Sequence, residues 1–348
     1  MSLFDRVADL PLRVDDVTLA VNERETAAFT RKTTTVTLRG GGHEGRGEDV
    51  TYDADEHGAL ARADLPSLAG AYTLRSFSAR LDDVEFFPHG PPGQDASVDY
   101  RRWGFESAAL DLALRQAGTA LGAAVDRTPD PVRFVVSPRL GDPPSVDRLD
   151  DLLGLHGDLA FKLDAEAGWT EALVDEIAAG YDVPVVDLKG QYHGTEVDRP
   201  ADPELYRRIV ESFPDALLED PGLTDETRAL LDPVAGRVTW DAPLHGVGDV
   251  EAFPWEPRWL NCKPSRFGTV ESLFDFLDHC EASGIRLYGG GQFELDVGRG
   301  QVQLLASLFY PDGPNDVAPG GYNDVELDPG LPGSPLDPPD DPVGFRWP

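Results

Sequence analysis

The 348-residue chain is 41% hydrophobic and carries a formal net charge of −33, from 63 acidic and 30 basic residues. That balance argues against nucleic acid and anionic membrane surfaces as partners, since a polyanion is not drawn to an acidic surface. Recurring aromatic and β-branched residues exclude a disordered acidic chain.

Only four basic residues are lysines (Lys32, Lys162, Lys189 and Lys263), and the acids are spread over the whole length, the composition of a solvated, halophilic surface. Two cysteines, Cys262 and Cys280, form neither a disulfide framework nor a zinc motif and fit a reducing, cytoplasmic setting. No stretch approaches the ~20 apolar residues of a membrane span. The opening MSLFDRVADLPLRVDD has no basic region followed by an apolar one, as a secretory leader would.

Residues 1–125 read as an α+β capping domain. VDDVTLAVN, KTTTVTLRG and a strand around GEDVTYD suggest a meander, and FESAALDLALRQAGTAL a strong helix. Residues 126–326 alternate short apolar runs with amphipathic helical patterns. The runs are VRFVVSP, LAFKLD, VPVVDLK, ALLEDP, VTWDAP, RWLNCKP, IRLYGGG and NDVAPGG. Helical segments such as TEALVDEIAAG, DPELYRRIVESFP, TVESLFDFLDHCEASG and GRGQVQLLASLF separate them. Eight such units predict an α/β fold with a C-terminal (β/α)8-type barrel. Residues 327–348, rich in Pro, Gly and Asp, predict an irregular tail over the surface.

In a parallel barrel, reactive groups belong at the C-terminal strand ends, which share one mouth. Lys162, Asp187, Glu219, Asp241, Lys263 and Glu294 fall at or just beyond the ends of strands two to seven, each about one strand-plus-helix repeat from the next. A charge inside an apolar strand is costly unless paired or bound to metal. Asp187, Glu219 and Asp241 offer only oxygen donors, the hard ligands suited to Mg2+. Lysine, unlike arginine, can lose its proton at a buried site, so Lys162 and Lys263 are the acid/base candidates. Strand alternation puts Lys189 on the same face as Asp187. The bland readings are a helix-capping role for each carboxylate and structural ion pairing for each lysine.

Together, Lys162 in FKLD, Asp187 in VVDLKG, Glu219 in LLEDP, Asp241 in TWDAP and Lys263 in LNCKPSRFG resemble the enolase superfamily, specifically its muconate-lactonizing and o-succinylbenzoate-synthase-like branch. In the first domain, TRKTTTVTLRGGGHEGRGEDVTY is similar to that family's strand pair and following G-x-G-E, and FESAALDLAL to its cap helix. The resemblance implies a cap-plus-barrel enzyme that holds Mg2+ through Asp187, Glu219 and Asp241. It also implies a small-molecule carboxylate substrate whose α-proton is taken by a lysine, giving a metal-stabilised enediolate, and it leaves a homo-oligomer open.

Two positions depart from the family's pattern. Strand two usually reads K-x-K, whereas here it is Lys162-Leu163-Asp164; strand three usually reads D-x-N, and Lys189 takes the Asn place. Either Lys162 is the active lysine, or Asp164 occupies the base position. Lys189 has three open roles: pairing with Asp164, anchoring a substrate carboxylate, or serving as base. Asp164, Lys189 and Glu294 are therefore substrate-binding or supporting candidates. Strand seven, LYGGGQFELDVGRG, lacks the His of the mandelate-racemase branch. A lyase, a dehydratase or o-succinylbenzoate-synthase-like, is the leading expectation. A racemase, epimerase or cycloisomerase, or a non-catalytic metal- and acid-binding barrel, is the alternative. Residues 22–31, NERETAAFTR, are the candidate substrate-selecting loop, with Arg24 or Arg31 meeting a second carboxylate.

Overall fold

The computed structural model describes all residues except 27, 28, 196, 341 and 348. In the first domain, β1 (Pro11–Val14) pairs antiparallel with β5 (Gly70–Thr73). The threonine- and valine-rich run β3 (Thr30–Gly40) is the central strand of a meander with β2 (Asp16–Glu25) and β4 (His43–Asp49). α1 (Ala54–Arg62) and the long α3 (Ala96–Gln116) pack against this sheet, α2 (Leu74–Leu81) packs on α3 and the β1–β5 pair, and α4 (Leu121–Val125) follows α3. The glycines of G-x-G-E let β4 lie directly on α3: a Cβ at Gly47 would sit 2.2 Å from the Gly104 carbonyl oxygen.

The expected loop 22–31 is a hairpin. Asn22 pairs with Thr33 and Arg24 with Arg31 in the β2–β3 register, which the threonine-rich β3 carries to Thr30. Residues 27 and 28 of its tip lie outside the described residues. Arg24 pairs with Asp324. Arg31 is buried, and its guanidinium donates to the carbonyls of Thr51 and Gln292 at 2.6 and 3.0 Å. It therefore joins the cap to the barrel.

The barrel strands are β6 (Val135–Val136), β7 (Ala160–Asp164), β8 (Asp182–Asp187), β9 (Leu217–Glu219), β10 (Val238–Thr239), β11 (Trp259–Cys262) and β12 (Arg286–Gly289). β6 to β10 form one parallel sheet in sequence order, and β11 and β12 a parallel pair. The ring closes through the Asn261 amide bonded to the Trp240 carbonyl, and through Asn315 and Asp316, which bridge Phe134 and Gly290 in parallel fashion. Those two bridges stand for the eighth strand.

Between the strands lie α5 (Asp147–Leu155), α6 (Glu171–Gly180), α7 (Pro203–Ser212), α8 (Asp225–Leu231), α9 (Val247–Val250), α10 (Val270–Ser283) and α11 (Val297–Phe309). Thr170, Asp202, Thr224 and Thr269 cap four of these helices through side-chain oxygens, and Gly284 ends α10 in the left-handed region. The helix α11 has no cap of its own. Glu48, at the end of the cap's G-x-G-E motif, accepts from the amides of Leu295, Asp296 and Gly298 at its start.

Among its described residues the tail forms no helix or strand, and it is not merely laid on the surface. Leu336 bridges Val132, Phe345 is fully buried beside Trp103, and Arg346 pairs with Asp111 of α3 at 2.7 Å. Apolar side chains separated along the tail carry this anchoring, so no periodicity announced it. Among the described residues, no helix is long and apolar enough to cross a membrane.

Candidate active site

Parallel register stacks the strand ends in layers. Asp164, Asp187, Glu219 and Thr239 are successive partners across β7, β8, β9 and β10 and form one layer. Lys162, whose partner is Val185, starts one layer below. Lys189 and Asp241 each lie two residues beyond that layer, past the ends of β8 and β10 on the mouth side.

This layering decides which carboxylates meet. Asp187, Glu219 and Asp220 are all buried, and each offers an oxygen within 4.8 Å of the other two. Asp241 lies next to this group and not within it. Its Oδ2 is held by Lys263 Nζ at 2.9 Å, by Arg266 at 3.4 Å and by the Tyr192 hydroxyl at 2.7 Å. Its Oδ1 is buried with no hydrogen-bond partner among the described residues.

Strand alternation would turn Asp220 away from the interior, and sequence reasoning missed it for that reason. Its backbone is left-handed, φ 48°, which breaks the alternation. Its two oxygens accept from the amides of Asp241 and Ala242, both at 2.8 Å, so it also fixes the course of the chain into the strand-five loop.

Lysines bracket the cluster. Lys162 Nζ bonds Glu219 Oε1 and lies 3.5 Å from Asp187 Oδ2. Lys189 Nζ donates to the same Asp187 oxygen at 2.6 Å and lies 3.4 Å from Asp164. Burial alone would depress both ammoniums; the facing carboxylates outweigh it and hold them well above the usual lysine value. Burial likewise opposes ionisation of Asp187, but Lys189 and Lys162 keep its carboxyl well below the usual range. Arg266 and Lys263 do the same for Asp241 against its burial. Glu219 goes the other way. Burial, together with Asp187 and Asp241, pushes it up in spite of Lys162.

Four further residues hold the ligand candidates in place. Asn261 Nδ2 donates to Glu219 Oε2 at 3.0 Å, and the Tyr288 hydroxyl bonds the same oxygen. Tyr192 and Arg266 hold Asp241. None was singled out from sequence, although Asn261 lies two residues before Lys263 and so shares its face. Glu294 is buried near Glu48: it accepts from the Gln292 amide at 2.6 Å and pairs with Arg299 at 3.0 Å. His245 faces Asp99 of α3 at 3.5 Å and ties the strand-five loop to the cap.

These residues fit a divalent cation. The donors are all oxygen, and the unpartnered Oδ1 of Asp241 is a buried acceptor whose desolvation would otherwise cost about 1–3 kcal/mol. The crowding that raises Glu219 is what a cation among Asp187, Glu219 and Asp220 relieves.

Known proteins carry the same architecture. The muconate lactonizing enzyme of Pseudomonas putida superposes with a TM-score of 0.70 at 18% identity, covering 96% of each chain. A dipeptide epimerase of Methylococcus capsulatus, complexed with Mg ion, superposes with a TM-score of 0.69 at 17% identity, covering 97% of this chain and all of that one. Both are enolase-superfamily members. The o-succinylbenzoate synthase of Bacillus subtilis is 24% identical over 221 residues, 62% of this chain. The match spans 58% of that relative's length. The N-terminal and C-terminal models of a domain of unknown function, DUF8230, match residues 5–124 and 128–324. With a cap meander, a closed parallel barrel and solved neighbours of one kind, the chain belongs to the DUF8230 family and has the enolase-superfamily fold.

Proposed function

We propose that this chain is a Mg2+-dependent enzyme that abstracts the α-proton of a carboxylate, as a lyase of the dehydratase or o-succinylbenzoate-synthase-like kind. The unpartnered Asp241 oxygen above the Asp187–Glu219–Asp220 group carries the reading. Mg2+ held by Asp187, Glu219 and a third carboxylate, Asp241 or Asp220, supplies the positive charge that makes a carbon acid beside a carboxylate removable.

The chain's own groups do the rest. Lys263 follows β11 at the mouth, paired with Asp241 Oδ2 at 2.9 Å, and is the leading acid/base residue. Lys162, bonded to Glu219 and 2% exposed, supplies counter-charge from below, its second candidate role after proton transfer. Tyr52 and Tyr100 of the cap are linked through Gln292, at 2.8 and 3.2 Å, and join the cap to the strand-seven loop. A racemase, epimerase or cycloisomerase uses the same parts.

One observation favours a second reading, a metal- and acid-binding barrel without turnover: the strand-two lysine is occupied by the carboxylates it would need to leave. Incubation with Mg2+ and a panel of carboxylic acids in D2O at high salt separates the two. Incorporation of α-deuterium, abolished by EDTA and lowered about 10²–10⁴-fold by Lys263→Ala, supports the enzyme. Acids that bind without any exchange in the parent protein support the binding barrel.

A further inference from the structure

We propose that Lys189 is the substrate-contacting ammonium on the β7–β8 side of the mouth, with Asp164 as its positioning residue. The assignment rests on the metal-assisted carboxylate reading above and moves the second lysine of the site from strand two to strand three.

Height within the barrel separates the two lysines. Lys162 starts below the layer of Asp164, Asp187 and Glu219 and reaches up to Glu219 and Asp187 from the barrel interior, with 2% of its side chain exposed. Lys189 starts above that layer, and its side chain is 16% exposed, more than the 9% of Lys263. A molecule entering from the mouth meets Lys189 and Lys263 before it meets Lys162.

The position is built, not incidental. Lys189 is a non-glycine residue at φ 52°, a conformation uncommon outside glycine and retained where surrounding bonds enforce it. Its amide donates to Asp187 Oδ1 at 2.9 Å, its carbonyl accepts from the Arg199 amide at 3.0 Å, and the next amide, of Gly190, donates to the Asp220 carbonyl at 2.8 Å. The turn aims Nζ between Asp187 at 2.6 Å and Asp164 at 3.4 Å, with the Tyr192 ring 4.9 Å away. Of the two carboxylates, Asp187 belongs to the cation-binding group and Asp164 does not. Asp164 is therefore the partner that stays with Lys189 when Asp187 serves a cation. Its own side chain, 41% exposed, is at the mouth. An acid at 164 paired with a base at 189 restores an ammonium to this side of the site.

Mn2+ binding followed by electron paramagnetic resonance, and malonate, succinate and lactate binding followed by calorimetry with Mn2+ present, test this without turnover. Lys189→Met is expected to weaken the bound carboxylate about tenfold or more, the loss of one charge-assisted contact, while Mn2+ affinity does not fall, because the ammonium removed was paired with Asp187 Oδ2 at 2.6 Å and competed with the cation. Lys189→Arg keeps most of the affinity. Asp164→Asn weakens the carboxylate in the parent and has no further effect in the Lys189→Met background.

Unchanged carboxylate affinity in Lys189→Met, or equal losses of Mn2+ and carboxylate, overturns the assignment and leaves the proposed function standing. A parent protein that binds Mn2+ but none of the three acids overturns it too. A parent that binds no Mn2+ overturns both.

Discussion

Glu48 is a fully buried carboxyl whose oxygens face the start of α11, at 2.7–3.2 Å from three amides. Burial pushes it up to about 7 from an ordinary 4.5, with Glu294 adding to the rise and Thr33 and the amides opposing it. A carboxyl raised on folding stabilises the fold most below its unfolded value and loses that contribution as pH climbs through its folded value. Between pH 4.5 and 7 the parent protein should therefore lose stability relative to Glu48→Gln, which cannot ionise, by up to about 3 kcal/mol. Urea unfolding of both proteins across that range checks it, and parallel pH profiles would count against it. Residues of this kind were only partly legible. The chemistry of Asp187, Glu219, Asp241, Lys162 and Lys263 stood out because charge is rare at the end of an apolar strand. Asp220 was hidden by a backbone bend that alternation does not foresee, and Tyr192, Asn261, Arg266 and Tyr288 by being ordinary residues until the barrel closes around them.

At the scale of elements, close approach sets the limits. β4 and α3 approach most closely at glycine, since a Cβ at Gly47 would lie 2.2 Å from a backbone oxygen and the same distance from Ser107 Oγ. Gly47→Ala should force strand from helix and lower the unfolding free energy by about 3 kcal/mol or more, because neither backbone can move aside. Denaturant titration measures this, and a cost below about 1 kcal/mol would show that the contact yields. Most barrel strands were readable in sequence because they are short apolar runs between amphipathic helices, four of which start at a capping Thr or Asp. The 22–31 hairpin was not, since the all-polar run NERE reads as a loop until pairing with β3 draws it into the ladder. The eighth strand shrinks to bridges at Asn315 and Asp316. There the Asn315 side chain bonds the Gly289 amide at 2.6 Å and the carbonyls of Arg133 and Gly313, doing locally what a longer ladder would do.

Across the whole molecule, a net charge of −33 opposes compactness. Exposed pairs such as Arg13–Asp15 at 2.8 Å contribute little against it, being solvated and screened. Raising KCl from ~0.1 M to ~3 M shortens the screening length from about 10 Å to below 3 Å, so the melting temperature should climb steeply over that range. A melting temperature independent of salt would show that the acidic surface carries no such penalty. This dependence could be read from composition, whereas the assembly of cap on barrel could not, because Arg31, Glu48 and Phe345 each bridge residues far apart in the chain.

The buried tail has a temporal consequence. Phe345 and Arg346 complete the surroundings of Trp103 and Asp111, yet they are synthesised more than two hundred positions later. The N-terminal domain is thus finished after the barrel that follows it: the surroundings of its long helix stay incomplete until residues 345 and 346 emerge and fasten it.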